Sequence, residues 1–225
     1  MQSRAYYYKD QLAIRVELDS HVARRLAGLT LIEKDIRTVK TWIDALQREM
    51  RDITAQIDES EMTFLPKDPA ASARIVIVRA LFVAIVATYG KLFTSAEGRS
   101  GTSLHKSGWV SERFSKLHDD LIHTRNTFAA HSGSDGPERC RVALAIDYTR
   151  RNRTPPRIFT ELVQPTTVSP PQLKEIGELV EDLQNRVKAK LDKTTEAAYK
   201  EVKLTYDQRK LHMLRKGASG RFLKR

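Results

Sequence analysis

Apolar residues fall at Ile32, Ile36, Val39, Ile43, Leu46, Met50, Ile53 and Ile57, in alternating steps of four and three. Such a heptad seam predicts a long helix, starting near Ser20, that packs along another helix or a partner subunit with a left-handed crossing. Pro66 and Pro69 end it. A second helix is expected over Ala70 to Phe93; Ile75-Val76-Ile77-Val78 alone would also suit a buried strand, but the segment's length and alanines favour helix. The Gly- and Ser-containing stretch from Ser95 to Gly108 reads as a loop. A third helix is expected from about Trp109 to His131, with Phe114, Leu117, Leu121 and Phe128 on one stripe, stopped by the turn signal Ser132-Gly133-Ser134-Asp135-Gly136-Pro137.

The period then changes. Val142, Leu144, Ile146 and Tyr148 alternate with smaller or polar residues, and Arg157 to Val163 is a second β-prone run, so a hairpin is expected over about 141–163. Ser169-Pro170-Pro171 opens a last helix, with serine as cap and proline tolerated in the first turn. Its amphipathic face is Leu173, Ile176, Val180, Leu183, Val187 and Leu191. Beyond Thr194 the seam weakens and basic residues accumulate, which reads as a loosely held helix and a frayed tail from Gly217. The expected fold class is mainly α: an antiparallel bundle of four or five helices over 1–193 with a small β-hairpin insertion and a long C-terminal helix, and a basic helix or tail over 194–225.

Composition sharpens this picture. In 225 residues, 39 Lys+Arg against 28 Asp+Glu leave a formal charge of +11, which makes polyanions plausible partners. Residues 186–225 hold 13 Lys/Arg and 4 Asp/Glu, so most of the excess sits there. The single cysteine, Cys140, excludes an internal disulfide framework and a Cys-rich zinc site, and fits a reducing compartment. Cytoplasm is the expected location, because Met1 to Asp10 lacks the apolar core of a signal peptide. The most apolar stretch, Ile75 to Tyr89, is broken by Arg79 and closed by Lys91, which leaves about half the length a membrane span requires, and it reads as a buried helix with no membrane partner.

Arginine followed after a few residues by histidine occurs at Arg15/His21, Arg99/His105, Arg113/His118 and Arg125/His131, so the bare spacing carries no weight. Context separates the last pair: only Arg125 is followed by Asn, only His131 follows a small-residue pair, and only this pair closes a long amphipathic helix. The stretch Leu121-Ile122-His123-Thr124-Arg125-Asn126-Thr127-Phe128-Ala129-Ala130-His131-Ser132 resembles the HEPN superfamily, whose signature is Arg, a polar residue, then His, and is most similar to its abortive-infection and toxin branch. The resemblance covers about 20 residues. It implies a HEPN-like helical bundle, a homodimer, and a metal-independent endoribonuclease in which Arg125, Asn126 and His131 form half of a composite catalytic site. It needs no cofactor and no metal, takes RNA as substrate, and leaves room for an antitoxin or other regulatory protein. HEPN proteins modified by a nucleotidyltransferase carry a tyrosine two residues after the histidine; here that residue is Gly133.

The residue types suit the chemistry. Histidine moves protons at neutral pH, as 2′-hydroxyl attack and departure of the 5′-oxygen require. The arginine fork matches phosphate oxygens and offsets transition-state charge. Asn126 would orient the histidine or donate to a phosphate oxygen. In an unbroken helix residues six apart differ by about 240°, so Arg125 and His131 converge only if the helix loosens near Ala130 or a partner completes the site. The plainer alternative is an ion-paired Arg125 and a His131 that caps the helix end. Candidate RNA contacts are Arg150, Arg151 and Arg153 in the hairpin loop, whose simpler role is to keep its tip soluble, and Lys188 and Lys190 in the basic C-terminal region. Asp119 and His123, four apart, read as a helical pair rather than metal ligands. Tyr6-Tyr7-Tyr8 reads as a packing cluster or strand edge. Two alternatives to the nuclease stand beside it: a scaffold assembled through the Ile32–Ile57 seam, and a nonspecific nucleic-acid binder working through the basic tail.

Overall fold

The computed structural model describes residues 6–8, 11–13, 16–56, 69–130, 139–146, 157–163 and 168–206. The chain is mainly helical. Two short strands, β1 (Tyr6–Tyr8) and β2 (Gln11–Ala13), pair antiparallel ahead of helix α1 (His21–Gln56). Helix α2 spans Pro69–Leu92, α3 is a single turn at Lys106–Trp109, and α4 covers Ser115–Ala130. Strands β3 (Arg139–Ala145) and β4 (Arg157–Val163) form the second hairpin, and α5 (Pro170–Thr205) closes the described chain.

Helix α1 starts where expected: Ser20 Oγ accepts the Ala23 amide at 3.0 Å, satisfying one of the free N–H groups of the first turn. At 1.5 Å per residue, its 36 residues run about 54 Å and form the spine of the bundle. Its seam is spent inside the chain. Ile32, Ile36, Val39, Ile43 and Leu46 are buried together with Leu173, Ile176, Leu179, Val180, Leu183 and Val187 of α5, each such side chain contributing about 1.5–3 kcal/mol. Ser20–Glu201 (2.9 Å) and Lys40–Gln184 (2.9 Å) align α5 antiparallel to α1. Arg74–Asp52 at one end and Lys91–Asp35 at the other do the same for α2. From Ile32 to Leu46 the seam is therefore packed against a helix of the same chain, the first of the two expected partners, while Ile57 lies outside the described residues.

Three expectations change. The third helix begins at Ser115 rather than Trp109, because Val110 and Ser111 are extended and a 3₁₀ turn at Glu112–Phe114 precedes α4. The stretch Ser95–Gly108 is not all loop: it holds a 3₁₀ turn at Glu97–Arg99, a left-handed Ser100 followed by Gly101 with positive φ, and α3. Helix α5 runs through residue 194 with Thr194 and Ala198 buried, so the basic C-terminal segment begins inside a packed helix.

The expected buried helix, α2, has only one face buried. Val78, Ile85, Val86, Tyr89 and Leu92 are buried in the core, whereas Ala73, Val76, Ile77, Ala80 and Ala87 are exposed, Val76 to 66 %. Helix α2 has the expected extent to within one residue at each end. Its Ala73–Leu92 is long and apolar enough to cross a membrane by length and composition, with 33 % of that window buried.

The connection after α2 is locked by a buried ion pair. Arg99, 4 % exposed, donates to Asp35 Oδ2 at 2.5 Å and to the Lys91 carbonyl at 2.8 Å, capping the C-terminal end of α2. Lys91 Nζ reaches the same carboxylate at 3.0 Å. Burial acts to raise the Asp35 pKa, but the two cations prevail and hold it below the usual carboxylate value.

Candidate functional site

Helix α4 places its apolar residues three and four apart, so Phe114, Leu117 and Leu121 form one buried stripe. Arg125 is the next position on that stripe, four residues beyond Leu121, and its stem runs over α2 instead of into solvent. The crossing is possible because residue 90 is glycine. A Cβ there would fall inside the Arg125 side chain, on Cδ and within 3.1 Å of both Cγ and Nε. Gly90 is itself buried, in the last turn of α2. Arg125 is thus a half-buried cation whose side chain lies in the notch that Gly90 leaves. Among the described residues no carboxylate pairs with it. Arg74, Arg99 and Arg186, by contrast, are all ion-paired.

Asn126 is exposed on α4, next to Arg125. Thr124 and Thr127 are back-bonded to the helix, Thr124 Oγ1 to the Asp120 carbonyl at 2.7 Å and Thr127 Oγ1 to the His123 and Thr124 carbonyls at 3.0 Å. The hydroxyls beside the motif are therefore occupied. The described helix ends at Ala130; His131 and the loop residues Arg150, Arg151 and Arg153 lie outside the described residues. Lys188 is exposed and Lys190 half-buried on α5.

A second polar group entered the sequence reading only as part of the Arg113/His118 spacing, without its burial. His118, 5 % exposed, sits between α4 and α2, its Nδ1 2.8 Å from the Tyr89 hydroxyl and its ring 4.4 Å from that of Phe93 in an edge-on arrangement. Burial lowers the His118 pKa, and Lys106 adds to this while Asp119 opposes it. Burial, with Asp119 nearby, pushes the Tyr89 hydroxyl up. A neutral imidazole bonded to an un-ionised phenol and shut off from water is packing machinery, not an acid–base catalyst facing substrate. The signal was available: His118 follows Leu117 and is four from Phe114 and three from Leu121, on the inner face. Asp119 is held by Lys106 at 2.6 Å, chiefly for which its pKa is lowered.

No family model, curated protein or solved structure matches the chain. What can be said of activity rests on its residues.

Proposed function

We propose that the protein is a metal-independent endoribonuclease of HEPN type, acting in the cytoplasm as a toxin or phage-defence effector. The observation that carries this reading is Arg125, a cation seated over Gly90 at the end of α4 with no carboxylate to neutralise it among the described residues. Such a group is preorganised for an anion, and the guanidinium fork suits the non-bridging oxygens of a phosphodiester. In this reading Arg125 holds the phosphate and offsets charge as the 2′-oxygen attacks phosphorus. His131 exchanges protons with the 2′-hydroxyl and the leaving 5′-oxygen, and Asn126 orients one of them. The outward apolar face of α2 supports a homodimer, in which two such half-sites would make one composite site. An antitoxin or other regulatory protein is a further proposed partner.

The test is cleavage of a labelled RNA in EDTA by wild type beside Arg125→Ala and His131→Ala, with the new ends read for a 2′,3′-cyclic phosphate. Cleavage that survives chelation and disappears in both variants is the expected result. Unchanged cleavage by either variant would remove its residue from the mechanism.

A non-enzymatic interaction protein is the second reading, and the bare α2 face is what favours it. It requires assembly through Val76, Ile77 and Ala80 and no effect of Arg125→Ala on any partner.

A further inference from the structure

Strands β3 and β4 pair with Ala143 opposite Phe159 and Ala145 opposite Arg157. Because side chains alternate across a strand, Arg139, Arg141, Ala143, Arg157, Phe159 and Glu161 share one face, with Glu161 directly opposite Arg141, and Val142, Leu144 and Ile158 share the other. Phe159 has Arg157 two residues before it on its own strand, and Arg141 on the diagonal, about 7–8 Å away across the ladder. The residue facing it is an alanine, too small to cover the ring. Arg141 and Arg157 are exposed, and Phe159 is 41 % exposed.

The ring thus has guanidinium positions on two sides, and with Arg139 the arginine positions of this face outnumber its one carboxylate, Glu161, three to one, which suits a planar, anionic partner. We propose that this face of the β3–β4 hairpin binds single-stranded nucleic acid, with an unpaired base stacked on Phe159 and the flanking phosphodiesters taken by Arg141 and Arg157. The net charge of +11 complements a polyanion. Stacking on a ring requires a base already out of a helix, which selects single strands over duplexes. The inference goes beyond cleavage at Arg125, since binding here needs neither that residue nor His131. The two can therefore fail separately.

The experiment uses the full chain carrying Arg125→Ala, so that no strand is cut. It measures fluorescence anisotropy of labelled RNA and DNA oligonucleotides of one mixed sequence, each single-stranded and as duplex, across a salt series. Phe159→Ala is expected to weaken single-strand affinity roughly 5- to 100-fold, and Phe159→Trp to preserve or tighten it. Arg141→Gln with Arg157→Gln should lower the slope of log K against log salt by roughly 1.4, about 0.7 for each phosphate contact. Which strand binds tighter, RNA or DNA, identifies the natural source of the ligand. The proposal is overturned if Phe159→Ala binds as its parent does, or if duplexes bind better than single strands. It is equally overturned if Leu144→Thr with Ile158→Thr, on the opposite face, weakens binding as much as Phe159→Ala.

Discussion

The Arg125 side chain occupies the space where any other residue at position 90 would carry its Cβ. Gly90→Ala therefore sets a methyl group against a long flexible side chain, and the arginine is what moves. Alanine is the better helix residue, by up to about 1 kcal/mol and less in the last turn where residue 90 sits, so the fold should hold its melting temperature. RNA cleavage should fall toward the level of Arg125→Ala. Melting curves and cleavage rates on the same preparation check this, and a Gly90→Ala protein with full activity would show that the seat of Arg125 is irrelevant to function.

Asp35 and Arg99 are both almost fully buried and bonded to each other. Removing one partner strands the other charge in the interior, so Asp35→Ala should cost about 3–5 kcal/mol in urea unfolding. The folded-state pKa of Asp35 lies below its ordinary 3.8. Its contribution is thus complete above that value and lost as pH falls through the lower folded one. Acid unfolding of wild type should accordingly be steeper below pH 3.8 than that of Asp35→Ala. Equal stability of the two at neutral pH would refute the pair's role.

His118 gives a second pH dependence, of the same sign but in another window. Its pKa in the folded chain is depressed from 6.5, so the unfolded chain binds the extra proton first as pH drops. Stability is full above about 6.5 and declines below it, down to the folded pKa. His118→Gln keeps a partner for the Tyr89 hydroxyl but does not titrate. Melting temperatures at pH 7.5 and 5.0 should therefore fall further for wild type than for His118→Gln, and parallel curves would dismiss the histidine as the cause.

Local period carried most of what could be read in advance. The α1 seam and the α5 face are long enough that 3.5 and 3.6 repeats leave no doubt, and Ser169 sits three residues before the Gln172 amide it caps. The break at Val110-Ser111 left no such trace, since neither residue is a proline or glycine and the stripe from Phe114 onward looks continuous with Trp109. Asp35 and Arg99 lie 64 positions apart, and nothing local announces their bond. The candidate site divides the same way: Arg125 stands out by its neighbours in sequence, whereas Gly90 is an unremarked residue in an apolar helix until α4 is laid across it. The outward face of α2 was hidden by its own composition, because an all-apolar stretch shows no stripe.

That outward face yields the prediction that best separates dimer from monomer. Ala73, Val76, Ile77, Ala80 and Ala87 present an uncharged exposed strip along α2, and small residues let two helices approach closely. A two-fold axis near Ala80 would lay each strip on its copy. Ala80→Glu places a charge at the centre of this surface without touching the core. The expected outcome in light scattering is half the mass of wild type, with the helical circular dichroism signal unchanged and RNA cleavage lost. Ile43→Asp, at a buried seam position, should instead unfold the chain. If Ala80→Glu keeps the wild-type mass, α2 is not the interface, and a composite site built across it falls with that result.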